Sequence, residues 1–527
     1  VPGLQRRVLW VAILASFVAF LDGAIVNVAL PAMTRELGGG ITTQQWVVDA
    51  YLLALGSLIL IAGSLSDTFG RIRILRAGLL IFGTASLACA VAPSALLLIV
   101  ARGIQGAGAA LLVPSSLALI TSIFRGPAQG KAIGSWTAWT GTAFLAGPLI
   151  GGLLVDYGNW RLIFAINVIP IAATLILLKG LAIPPVLLLP TLPPVKHDAG
   201  TSSVPAAPVA PPVAAELGGS AGTPVSVARP ASRVDVIGAV LAAVGLAGTV
   251  FALIEQDRLG WGSALVYGPF VLGIAALVAF LWWEHRTPAP MMPLGLFRIR
   301  NFGVGNIATT FIYAGLSLGQ LLVVLFLQEI AGFTAAQAGL ASLPVAVISL
   351  LLAGPFGTLA GKYGPRLFMA MGPLVAGVGY AMMASAAEPF NFWLQILPGQ
   401  LVFAVGLSIT VAPLTAAILG AVPAGQSGIG SAINNAVSRV AGLIAVALAG
   451  VMLGGVLDYE SFRRVMVITA LLFLAGSVVS ALGISNAEAR QQRSDAETGP
   501  AVAVDGPGDG SEDGPENGLR AAGPTAS

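Results

Sequence analysis

Apolar runs of about twenty residues recur along this chain, and they restrict its fold more than any other feature. An α-helix rises 1.5 Å per residue, so about 20 apolar residues cross the roughly 30 Å hydrocarbon core of a bilayer. Fourteen runs qualify: 8–30, 44–66, 74–93, 96–122, 131–155, 162–182, 234–254, 264–283, 302–327, 335–359, 366–386, 392–419, 429–455 and 465–484. Only 9% of residues are charged and mean hydropathy is +0.90, so lipid must be the solvent for this surface. The first run is too long for a secretory signal and has no small-residue cleavage site, so it is expected to stay as a span. An all-α polytopic membrane protein is the expected fold class.

Lysines and arginines in short loops orient such a chain. With the N-terminus in the cytoplasm, Arg6, Arg7, Arg71, Arg73, Arg76, Arg125, Lys131, Arg286, Arg298, Arg300, Lys362, Arg366, Arg490 and Arg493 fall inside. Only Arg35, Arg161, Arg258, Arg463 and Arg464 fall outside. Both termini are therefore expected in the cytoplasm, with an even number of spans. The Pro/Ala-rich stretch 183–233 reads as a cytoplasmic linker, and the acidic, Gly/Pro-rich tail 486–527 as disordered. The domains expected are an N-terminal six-helix bundle (1–182), the linker, two extra helices (234–283), a C-terminal six-helix bundle (284–485) and the tail.

Several function classes drop out early. A net charge of +3 gives no reason to expect a nucleic-acid partner, and the single cysteine, Cys89, allows neither a disulfide framework nor a cysteine metal site. His197 and His285 sit beside linkers, so no catalytic cluster of histidines is in view. No GxxxxGK[ST] loop is present, which excludes a self-contained ATP-driven pump. Neither cofactor nor metal is expected.

An internal echo points to a repeat. GSLSDTFGRIR from Gly63 matches GTLAGKYGPR from Gly357, each after a span and before a basic loop, with Asp67 replaced by Gly361. Inverted or parallel repeats of this kind build many secondary transporters, with a site near the midplane between the halves. In the first copy Gly63 and Gly70 would let helix ends approach, and Asp67 with Arg71 and Arg73 would supply a charge pair that latches them. Positive-inside topology alone accounts for the arginines but not for the aspartate or the glycines.

The first copy resembles the loop signature of the major facilitator superfamily between spans 2 and 3, although Ile72 stands where a further basic residue is common. LDGAIVNVALP, around Asp22, resembles the first-span signature of its fourteen-span drug:proton antiporters, with Ala24 in place of the usual threonine. Arg102-Gly-Ile-Gln105-Gly106-Ala-Gly108 resembles their fourth-span signature. Gly141-Thr-Ala-Phe-Leu-Ala-Gly147-Pro148-Leu-Ile-Gly151-Gly152, continued by Asp156 to Asn167, resembles the fifth-span signature associated with antiporters. Leu327 to Gly339 and Asn434 to Gly442 also resemble the family. The likeness covers residues 8–485. It implies two pseudo-symmetric six-helix bundles with two extra central helices, alternating access, and proton-coupled efflux of lipophilic compounds, cations among them, across the cytoplasmic membrane. Export of an endogenous natural product, peptide or lipid precursor by the same fold is the alternative. Protons, lipid and a small lipophilic molecule are the expected partners, with a monomer favoured.

A charge inside an apolar span costs about 2.5–3.5 kcal/mol on insertion scales and so marks a site. Asp22 lies about 14 residues along the first span, roughly 20 Å. Asp49 and Arg102 lie within about two turns of the starts of their own spans, at the same outer level. Burial favours the neutral acid and a nearby arginine favours the carboxylate, so an aspartate between the two effects can take and release a proton. Asp22 admits two readings, a proton carrier or a fixed ion pair with Arg102. Asp49 shares a stripe with Gly56 and Gly63 and either borders the cavity or caps the second span at the headgroups. Asn27, Trp46, Gln105, Phe311, Tyr313, Gln320 and Asn434 are expected to line a substrate cavity, by apolar and aromatic contact with a few amides. Gly134, Ala138, Gly141, Pro148 and Gly152 share one helix face, which reads as a tight, bendable interface sealing the outer side. Arg439 reads as a helix–helix hydrogen-bonding group.

Overall fold

A computed structural model describes residues 2–124, 126–179, 181, 235–288, 290–423 and 426–486. The expected linker and the tail beyond 486 lie outside the described residues. The helices are α1 Pro2–Leu37, α2 Gly40–Phe69, α3 Arg71–Ala90, α4 Ala95–Ile123, α5 Gly126–Tyr157, α6 Leu162–Ala165, α7 Val168–Leu178, α8 Val236–Leu259 and α9 Ala264–Arg286. They continue with α10 Arg300–Glu329, α11 Ala335–Tyr363, α12 Pro365–Met383, α13 Phe392–Gln395, α14 Leu397–Ala421, α15 Ser427–Ala447, α16 Ala449–Leu453 and α17 Tyr459–Gly483.

Among the described residues, thirteen helical segments are long and apolar enough to cross a membrane. The sixth expected span, 162–182, differs. Its apolar segment is the shorter Leu162–Leu178, divided into α6 and α7. The backbone there tightens into three-residue hydrogen bonds, Asn167 N to Phe164 O and Ile169 N to Ile166 O. That break turns Asn167 toward the interior, where its amide has a use described below.

Contacts sort the helices into two groups. In the first, α1 packs on α4, α5 and α7, and α4 on α2 and α3; in the second, α12 packs on α14 and α17, α10 on α15 and α17, and α11 on α14. The groups meet where α5 crosses α11 and α2 crosses α15. The internal echo is visible in the backbone. Gly70 ends α2 at φ 94° and Gly364 ends α11 at φ 93°, a conformation that favours glycine at both turns. Helices α8 and α9 pair with each other, and α8 also touches α2, α15 and α16, so it bridges both groups.

Candidate functional site

Asp22 is the centre of a buried polar cluster. Its Oδ2 accepts from Arg102 Nη1 at 2.5 Å, and its Oδ1 accepts from Gln105 Nε2 and Asn167 Nδ2, each at 2.8 Å. The Arg102 guanidinium also donates to Gln105 Oε1 at 2.6 Å and to the Val47 carbonyl at 3.0 Å, and lies 4.4 Å from the centre of the Tyr51 ring. Ser86 takes the second Gln105 hydrogen at 2.7 Å. Asp22 is fully buried and Arg102 is 2% exposed. Burying this pair costs several kcal/mol per ion in desolvation, which close geometry and added donors offset. Helices α1, α3 and α4 and the α6–α7 break each contribute a polar side chain, and α2 a carbonyl and the Tyr51 ring. Two of the three charges expected at one level meet as a pair here, but Asp49 is not part of it.

Asp49 is fully buried, and neither carboxylate oxygen has a hydrogen-bond partner among the described residues. Its stripe on α2 faces α15: Gln45, one turn earlier, donates to the carbonyls of Val446 and Ala447, and Gly56, two turns later, backs onto Arg439 and Val440. Asp49 therefore belongs to the contact between the two helix groups. It does not line the cavity, and it does not cap α2, which begins nine residues earlier at Gly40.

That cavity holds about 2560 Å³ between the groups. Its mouth carries Gly70, Arg71 and Arg73 from the α2–α3 turn together with Gly428, and its depth carries Asn27, Tyr313, Gln320 and Arg439. Trp46 and Phe311 do not line it. Trp46 instead donates to Glu255 of α8 at 2.9 Å and packs against Phe251, because its face of α2 meets the extra helices. Gln105 is absorbed by the Asp22 cluster. Asn434 donates to Thr309 and Asn306, tying α15 to α10. Arg439 also departs from expectation: it makes no hydrogen bond or ion pair among the described residues and points into the cavity.

The end opposite the mouth is closed by contacts between the groups. Asp156 Oδ1 and Oδ2 accept from the amides of Ala335 and Ala336 at 3.1 and 2.8 Å, capping α11 from the end of α5. Gln44 donates to Glu329 at 2.7 Å, and Gln328 to the Val28 carbonyl at 3.0 Å. The fifth-span motif divides in two. Gly147 and Gly151 lie against Ala24 and Ile25 of α1, and a Cβ on Gly152 would come within 2.4 Å of the Ala335 carbonyl oxygen. Gly141 faces open space and lines the cavity with Ala138 and Pro148, so only the Pro148–Gly152 end is a seal.

The loop motif also differs from expectation. Gly63 lines the cavity with nothing near the place of a Cβ, so it supports no close approach here, whereas Gly70 serves its turn. Arg71 donates to the Ala118 carbonyl at 2.8 Å. Arg73 is exposed, and the side chain of Asp67 lies outside the described set. Asn167 enters the sequence only as the end of the motif after the fifth span, and Ser86 carries no motif at all. A polar side chain inside an apolar span was the available signal, but nothing in the sequence pointed either one at Asp22.

Two groups of helices around a cavity open at one end and sealed at the other define a multi-pass membrane transporter. The chain belongs to the Major Facilitator Superfamily, whose family model matches residues 12–287 and 305–508. It is 33% identical to the puromycin resistance protein pur8 of Streptomyces alboniger over 83% of this chain and 80% of that protein. It is 32% identical to the multidrug resistance protein Stp of Mycobacterium tuberculosis (84% and 74%), and 30% identical to the methylenomycin A resistance protein of Streptomyces coelicolor (84% of each). The fold is similar to that of a peptide transporter POT, with TM-score 0.62, 16% identity and coverage of 92% and 94%. It is also similar to the inward open xylose transporter XylE from E. coli, with TM-score 0.59, 15% identity and coverage of 90% and 95%.

Proposed function

We propose that this protein exports small lipophilic compounds across the cytoplasmic membrane by alternating access, driven by inward proton flow. Fourteen spans with both termini in the cytoplasm, divided as two six-helix bundles and an inserted pair, complete this reading. The loop arginines then put the cavity mouth on the cytoplasmic side, so the present conformation is inward-open. The names of the resistance relatives support efflux as the direction.

The observation that carries the coupling is the Asp22–Arg102 pair. With the outer side closed, both oxygens of Asp22 are met, Oδ2 by Arg102 and Oδ1 by Gln105 and Asn167, and the Asp22 carboxylate offsets the Arg102 charge. One proton on Asp22 leaves Arg102 as an uncompensated buried cation, costing about 3–5 kcal/mol. Relief requires helices α1, α2 and α4 to shift, which ties protonation to the opening of one side. No cofactor enters the cycle; the proton gradient supplies the energy. Cells expressing the chain should lose a panel of lipophilic fluorescent dyes faster than empty cells, and a protonophore should abolish the difference; dye loss unaffected by protonophore counts against coupling.

A further inference from the structure

The charges that line the cavity favour one kind of substrate. Its described lining carries Arg71, Arg73, Arg102 and Arg439 as bases and Asp235 as the one acid. Arg71 and Arg73 stand at the mouth, and Arg102 is occupied by Asp22. Arg439 lies about 12 residues into α15, roughly 18 Å from the end of that helix at the mouth. Its guanidinium sits 5.9 Å from the Phe20 ring and has no hydrogen bond or ion pair among the described residues. Asn27 and Gln320 line the same space and likewise make no side-chain hydrogen bond among the described residues.

Five donors on a planar fork, partly buried and unused, are an arrangement that a carboxylate completes. The two carboxylates nearest in sequence logic are not available to do so. Asp22 is buried and committed to Arg102, and Asp49 faces the α2–α15 contact outside the cavity. We propose that Arg439 is a substrate-binding residue and that the preferred substrate is a lipophilic acid or zwitterion whose carboxylate pairs with Arg439. Asn27 and Gln320 then supply further polar contacts, and the apolar walls near Phe20 and Tyr313 hold the body of the molecule. This rests on the reading of the protein as an exporter of small lipophilic compounds. A purely cationic substrate is disfavoured, because it would meet a like charge well inside a site with low dielectric.

The test is equilibrium binding to the purified full chain, without a proton gradient, read by fluorescence anisotropy. The probes are a lipophilic rhodamine bearing a free benzoate and the same dye as its methyl ester, which differ only in the carboxylate. The acid should bind at least about tenfold more tightly than the ester, the scale of a single charge-assisted pairing. Arg439→Gln should bring the ratio of the two affinities close to one, and Arg439→Lys should keep the acid ahead. Because the readout is a ratio, uniform weakening of a variant does not mimic the effect. An ester that binds as tightly as the acid to the unaltered protein, or an acid preference that survives in R439Q, would overturn the assignment. An acid preference without any dye transport would contradict efflux and leave Arg439 in place as the binding cation.

Discussion

Asp156 and Ala336 stand on opposite helix groups and are joined by a 2.8 Å hydrogen bond from the Ala336 amide to a carboxylate oxygen. The second oxygen takes the Ala335 amide, so one side chain at the end of α5 closes the exposed N-terminus of α11. A negative charge there meets both the free donors and the positive end of the helix dipole. Removing a cap of this kind costs about 0.5–2 kcal/mol, or about 2–30-fold in the balance between sealed and open outer sides. Asp156→Ala should therefore increase labelling of a cysteine placed at Asn27 by an impermeant maleimide added from outside. The native Cys89 is buried and gives little background. Unchanged labelling would remove Asp156 from the seal.

Gly152 makes the same contact by absence of a side chain. A Cβ there would lie 2.4 Å from one backbone atom and 2.6 Å from another on α11, and neither can rotate away. Gly152→Val should force the helices apart, at about 1–3 kcal/mol, and lower proton-driven export by about tenfold while raising outer accessibility. Gly141→Val, whose side chain would enter open space, should leave the seal closed.

The Asp22–Arg102 pair predicts a non-additive cycle. Asp22→Asn or Arg102→Gln alone leaves a buried charge without its partner and should cost about 3–5 kcal/mol of stability, seen as a lowered Tm. The double variant removes both charges and should recover a large part of that loss. A double variant as destabilised as the sum of the singles would mean that the two residues act independently.

Much of this architecture was legible from residues. Span length gave the helices, and the matching turns at Gly70 and Gly364 gave the repeat, because a positive φ at a helix end demands glycine. The pairing of Asp22 with Arg102 was one of two open readings, since two opposite charges at one depth in an apolar interior have few other options. Rotation about each helix axis was not legible. Trp46 and Asp49 are less than one turn apart on α2, yet one meets α8 and the other faces α15, and which neighbour each meets depends on how α8 docks. Arg439 was misread for a related reason. Its sequence neighbourhood carries amides suited to helix–helix bonding, but Asn434 takes that role and leaves the guanidinium to the cavity. Asn167 reached the cluster through a break between α6 and α7 that the continuous apolar pattern did not reveal.

The most direct test of the coupling is substrate-driven proton movement in proteoliposomes containing a pH-sensitive dye. Adding a transported compound on one side should move protons the opposite way at a rate set by the protein. Asp22→Asn, which is close in size but cannot carry the proton, should abolish that flux, and binding of the compound by the same variant shows that it is folded. Proton movement in D22N at the unaltered rate would contradict the assignment of Asp22 as the proton carrier.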